Sequence, residues 1–132
     1  MSKRYDSQLF KKENCMKKTD EFNYVELNIK EGMPRVMDAM DCLKDSIERF
    51  KRNKHKCVLV IHGYGSTGKG GAILKSAREW LLAQSKKGAL KTVIFGEEFT
   101  IFNFKSLELK ERYAELAPLI GGYNHGVTVV EL

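Results

Sequence analysis

Apolar positions recur along the chain in more than one rhythm. Tyr24-Val25-Glu26-Leu27-Asn28-Ile29 alternates with period two, which predicts a strand. Gly32 and Pro34 interrupt it, and Pro34 suits a helix start because its missing N–H would have no helical partner there. Val36, Met40, Leu43, Ile47 and Phe50 then recur at steps of three and four, with charged residues between them. That spacing predicts an amphipathic helix of roughly five turns with one buried stripe. Arg52 to Lys56 reads as a charged turn. Cys57-Val58-Leu59-Val60-Ile61 is apolar at every position, the pattern of a strand covered on both faces or central in a sheet. A glycine-rich turn follows. Beyond it Ile73, Leu74, Ala77, Trp80 and Leu81 mark the buried face of a second helix, with Lys75, Arg78 and Glu79 assigned to its surface and Gly88 at its end. Thr92-Val93-Ile94-Phe95 predicts a third strand. Glu97 to Lys105 has no clear period and reads as a loop or short strand. Leu107 to Leu119 has helical spacing through Leu109, Tyr113 and Leu116, and Val127 to Leu132 predicts a final strand.

The order β-α-β-α-β-(α)-β predicts an α/β fold: a two-layer sandwich on a mixed, mostly parallel sheet of about four strands, joined by right-handed crossovers. A length of 132 residues suits one domain, placed at 24–132. Residues 1–23 read as a flexible basic arm, in which Lys3, Arg4, Lys11, Lys12, Lys17 and Lys18 outnumber the acids. Charge adds a partner class. A net charge of +6 attracts polyanions. Cys15, Cys42 and Cys57 are odd in number and show no Cys-x-x-Cys spacing, which argues against a disulfide framework and a thiolate zinc site. No apolar core opens the chain as in a signal peptide, and no apolar run is long enough to cross a bilayer, so a cytoplasmic protein with no membrane partner is expected.

The chemistry concentrates in His62-Gly63-Tyr64-Gly65-Ser66-Thr67-Gly68-Lys69-Gly70-Gly71. A turn between an apolar strand and a helix presents backbone N–H groups at the positive end of the helix dipole, which suits an anion. Glycines permit positive φ and close approach of a phosphate, and Lys69 adds a point charge. Gly63-x-x-x-x-Gly68-Lys69 begins a phosphate-binding-loop pattern, but Gly70 stands where Ser or Thr would hold magnesium. Gly63-x-Gly65-x-x-Gly68 meets the dinucleotide fingerprint, but it follows the second strand and lacks the acid about twenty positions on. A nucleotide- or phosphate-binding module using Gly63 to Lys69 is the alternative these patterns leave open.

Ile61-His62-Gly63-Tyr64-Gly65-Ser66, the helix carrying Arg78 and Trp80, and the closing Gly126-Val127-Thr128-Val129-Val130-Glu131-Leu132 together resemble the small MutS-related (Smr) domain. The resemblance covers Tyr24 to Leu132. It implies a fold similar to the C-terminal domain of bacterial translation initiation factor three. It also implies binding to DNA or RNA, with nicking endonuclease activity in some members. The family pattern opens with Leu-Asp-x-His-Gly, whose Asp and His are associated with hydrolysis. In Val25-Glu26-Leu27-Asn28-Ile29-Lys30, Glu26 stands for the Asp and Asn28 for the His, so the chain resembles a divergent member. An amide does no general acid–base work, though it still makes hydrogen bonds.

On this resemblance Glu26 and His62 are the catalytic candidates, with Asn28 in the histidine's place. They would polarise a water or hold a divalent metal, and no other cofactor is expected. Gly63, Tyr64, Gly65, Ser66, Thr67, Gly68, Lys69 and Gly70 would cradle phosphate. Lys75, Arg78 and Arg35 would track the backbone, and Tyr64 would stack on a base. His125 is a second histidine candidate. His55 and the group Lys86, Lys87 and Lys91 read as solvated.

Overall fold

The computed structural model describes residues 16–18, 24–32, 34–64, 71–119, 121–122 and 124–132. Their elements run β1 (Met16–Lys18), β2 (Tyr24–Asn28), α1 (Val36–Arg52), β3 (Cys57–Ile61), α2 (Ala72–Lys86) and β4 (Thr92–Phe95). A 3₁₀ turn (Gly96–Glu98), α3 (Phe104–Arg112), a second 3₁₀ segment (Ala114–Leu119) and β5 (Val127–Glu131) complete them. The strands form one sheet in the order β1-β2-β3-β5-β4.

β2 and β3 pair in parallel, from Tyr24 opposite Cys57 to Asn28 opposite Ile61. β5 lies antiparallel between β3 and β4, and β1 is antiparallel to β2. The sheet is mixed as expected, but only one of its four pairings is parallel, which corrects the mostly parallel expectation. β2, β3 and β4 do share one direction. β4 loses its parallel neighbour because the segment after it begins and ends at one edge of the sheet, where Gly121 N–H donates to the Phe99 carbonyl at 2.9 Å. β5 must therefore run back, and it fills the gap beside β3.

One face of the sheet, through Val25, Leu27, Val58, Val60 and Val130, packs on Leu43, Ile47 and Phe50 of α1 and Ala77 and Leu81 of α2. The other face, through Leu59, Ile94 and Val129, packs on Phe99, Leu109 and Leu116. α3 and the second 3₁₀ segment thus add a partial third layer to the two expected. Cys57–Val60 is buried at every position, as its unbroken apolar run requires. Full burial of each such side chain stabilises the fold by about 1.5–3 kcal/mol. β1 lies inside the stretch read as the basic arm; the remainder of 1–23 lies outside the described residues. Among the described residues, no helix is long and apolar enough to cross a membrane.

α1 and α2 end in the same backbone motif. At α1, His55 N–H donates to the Phe50 carbonyl and Lys54 N–H to the Lys51 carbonyl, at 2.9 and 3.1 Å. At α2, Ala89 N–H donates to the Gln84 carbonyl and Gly88 N–H to the Ser85 carbonyl, at 2.9 and 3.0 Å. Both are Schellman ends, which place one residue in the left-handed region. That residue is Gly88 (φ 82°) in α2 and Lys54 (φ 63°) in α1.

Candidate functional site

β3 ends where the glycine-rich turn begins. Gly63 has φ +74°, and a Cβ there would lie 2.7 Å from Lys30 Cδ, so the strand leaves the sheet by a path suited to glycine. Tyr64 is 45% exposed and leans on the His125 ring, with centroids 5.4 Å apart. Gly65, Ser66, Thr67, Gly68, Lys69 and Gly70 lie outside the described residues. The chain is described again at Gly71, whose N–H donates to the Tyr64 carbonyl at 2.8 Å. Gly71 is the N-cap of α2; among the described residues no side chain caps the helix, and its first turn holds no acid.

His62 N–H and Gly63 N–H both donate to the Gly126 carbonyl, at 3.0 and 2.9 Å. These two main-chain donors of the motif are therefore occupied by the protein itself. The anion-receptive groups among the described residues are the opening turn of α2 and the exposed Lys75. Lys30, also exposed, joins them, because the parallel register of β2 and β3 carries its side chain over Gly63. Sequence reading missed Lys30. The signal was its position two residues beyond Asn28, which pairs with Ile61.

His62 is 3% exposed and faces the α1–α2 side of the sheet. Its Nδ1 lies 2.9 Å from the Gly63 carbonyl, which only accepts, so the proton is assigned to Nδ1. Nε2 then accepts from the Thr128 hydroxyl at 2.8 Å, and Thr128 Oγ1 accepts from Arg78 Nε at 3.1 Å. Burial, with Arg78 adding to it, lowers the His62 pKa below its usual value and favours the neutral ring.

Arg78 is not the surface residue expected. It is 8% exposed, and its guanidinium donates to both Glu97 oxygens at 2.8 and 2.7 Å, to the Val127 carbonyl at 3.0 Å and to the His125 carbonyl at 3.4 Å. It also lies over the Phe95 ring, 4.0 Å from its centroid. Its donors are committed inside the fold, so it does not track a phosphate backbone. The sequence held a signal: Arg78 falls four residues after Leu74 and three before Leu81, on the apolar stripe itself. Burial pushes the Glu97 carboxyl up, but the hydrogen bonds and charge of Arg78 outweigh it, leaving the pKa below the ordinary range. His125 is exposed, with Nδ1 3.8 Å from Glu97 Oε2.

Glu26 pairs in register with Leu59, whose side chain lies in the core beneath α3, so Glu26 projects from the opposite face to His62. The structure does not bring those two candidates together. Asn28 Oδ1 accepts from Lys30 N–H and Glu31 N–H, each at 3.0 Å, and so caps the strand's exit. Arg35 is exposed and pairs with Asp38 at 3.3 Å. Among the described residues, no three His, Cys, Asp or Glu side chains converge as a metal site would require.

Comparison with known curated proteins and with solved structures found no match. A family model described as Smr domain matches residues 31–94, from the turn after β2 into β4. The matched stretch contains α1, β3, the glycine-rich turn and the whole of α2. Over residues 31–94, a little under half of its length, this chain is similar to the Smr domain family, the family its sequence resembles.

Proposed function

We propose that the chain binds nucleic acid at the end of β3, using the start of α2, Lys30, Lys75 and the Tyr64–His125 ring pair. The observation that carries this reading is the uncapped, acid-free first turn of α2 opening beside an exposed aromatic pair. The helix terminus supplies partial positive charge for phosphate, and the tyrosine offers a stacking face for an unpaired base. Gly65, Ser66, Thr67, Gly68, Lys69 and Gly70 would complete the cradle.

The reading is binding rather than cleavage through Glu26 and His62. Their placement on opposite faces denies them a common water or metal, and both ring nitrogens of His62 are engaged. Fluorescence anisotropy with labelled single- and double-stranded DNA and RNA tests the proposal. Binding should weaken with salt, and Tyr64→Ala should cost about 1–3 kcal/mol on single strands. Equal affinity of Tyr64→Ala and Lys30→Ala with the unaltered protein would overturn it. A metal-supplemented nicking assay should show no difference between the unaltered protein and Glu26→Gln. A thermal shift with ATP or NAD, and none with oligonucleotides, would favour a mononucleotide or dinucleotide ligand instead.

A further inference from the structure

Two stretches distant in sequence, 49–56 and 86–91, meet at one pole of the molecule. α1 and α2 end there, and β3 and β4 begin there. Lys51 Nζ donates to the Ala89 carbonyl at 2.8 Å and ties the two stretches together. Lys91 N–H donates to the Glu131 carbonyl and Leu132 N–H to the Lys56 carbonyl, each at 2.9 Å. Lys54, Lys56 and Lys91 line a recess of about 240 Å³ together with Tyr113 and Glu131.

The two stretches hold eight of the chain's 23 Lys and Arg residues and none of its 17 acids. The rest of the chain has 15 such cations against 17 acids, so the excess positive charge originates at this pole. Lys54, Lys56, Lys86, Lys87 and Lys91 are exposed, and among the described residues none makes an ion pair. The carboxylate in the recess does not oppose an anion. Glu131 is 1% exposed and its oxygens accept from Arg112, Tyr113 and Thr92.

Helix dipoles account for Lys51, Arg52 and Lys86, which lie in last turns where cations are favoured. They do not account for Lys56 and Lys91, which precede strands, nor for Lys54. Lys54 holds the left-handed position that the matching end of α2 gives to Gly88, a conformation that disfavours a side chain. A lysine there presents charge at a cost in backbone energy.

We infer that this lysine pole is a second contact for the phosphate backbone of a nucleic acid, separate from the glycine-rich turn. The inference rests on the proposed function for its ligand class. Lipid headgroups fit less well, since insertion needs large apolar side chains among the cations. Among the described residues the exposed ones, Met37, Tyr64, Leu82, Ile101, Phe102 and Phe104, all fall outside the two stretches. β3 separates the two contacts by roughly 15 Å at about 3.3 Å per residue. That exceeds the Debye length of about 8 Å in physiological salt, so the ends act independently. With one phosphate per roughly 3.4 Å of strand, about five nucleotides of duplex span both.

The test is anisotropy on a labelled 20-nucleotide duplex and single strand across about 50–200 mM salt, the range where phosphate contacts are most visible. The triple variant Lys54→Gly/Lys56→Ala/Lys91→Ala is compared with Lys30→Ala/Tyr64→Ala, with thermal melting as the folding control. The triple variant should bind at least tenfold more weakly at the low-salt end, and its slope of log K against log salt should fall by roughly 2 to 3. An unchanged slope in the triple variant, with weakened binding in Lys30→Ala/Tyr64→Ala, overturns the pole and leaves the proposed site standing. Loss in the triple variant alone supports the pole and overturns the site at the turn. Binding of the unaltered protein to phosphatidylserine vesicles but to neither oligonucleotide, abolished in the triple variant, overturns the pole's assignment to nucleic acid.

Discussion

Thr128 occupies a strand position where valine would pack equally well, yet its hydroxyl joins two buried nitrogens. It accepts from Arg78 and donates to His62, so one oxygen satisfies α2 and the end of β3 together. Thr128→Val keeps the shape and leaves both nitrogens without that partner. The expected loss is on the order of 2 kcal/mol, read as a lower urea midpoint at unchanged m-value. The same network sets the pH dependence. Burial disfavours the His62 imidazolium, so the unfolded chain takes up that proton near pH 6.5 and the folded chain only below it. Stability from this group is present above pH 6.5 and falls as pH drops toward the lowered folded value. Glu97 and Glu131 act below that window. Burial raises both pKa values, but hydrogen bonds from Arg78 and from Arg112 outweigh it, so their stabilisation is present above about pH 4.5 and is lost as pH falls through the folded values. Urea midpoints from pH 8 to 5 should show the first decline in the unaltered protein, and His62→Gln should flatten it.

The ends of α1 and α2 provide an internal comparison between two elements with one motif. Lys54→Gly should raise stability by about 1 kcal/mol, because glycine accepts the left-handed conformation that lysine resists. Thermal melting checks this, and the gain should be absent for Lys56→Gly. Legibility in the sequence follows how local each signal is. α1 and β3 were readable because each buries a stripe or run that its own residues display. α3 begins at Phe104, three residues before its predicted start, because Asn103 caps it by accepting from Ser106 N–H at 3.2 Å. The helix gives way at Tyr113, whose hydroxyl donates to Glu131 Oε2 at 2.9 Å. The position of β5 between β3 and β4 had no local signal, since alternation names a strand's faces and not its neighbours. β1 escaped notice because three residues carry too little pattern.

At the scale of the molecule, the candidate site was legible as a place and less so as a set of partners. The glycine-rich turn does sit at the end of the central strand beside a helix start. What it touches depended on pairing: the register of β2 on β3 brought Lys30 to Gly63 and sent Glu26 to the far face. Arg78 and Glu131 are charged residues that the folded molecule turned inward and satisfied. The sequence shows Lys86, Lys87 and Lys91 as a group, and the meeting of two helix ends adds Lys54 and Lys56 to it. The Gly126 carbonyl, which accepts from both His62 and Gly63, has a consequence for the whole assembly. It works as a latch: whatever claims either amide from outside must first release the loop that leads into β5, so occupancy of the turn reports on the closing of the sheet. Deuterium uptake at these two amides should slow or quicken together, and a ligand that leaves them untouched should leave the last strand's leading edge as tightly fastened as before.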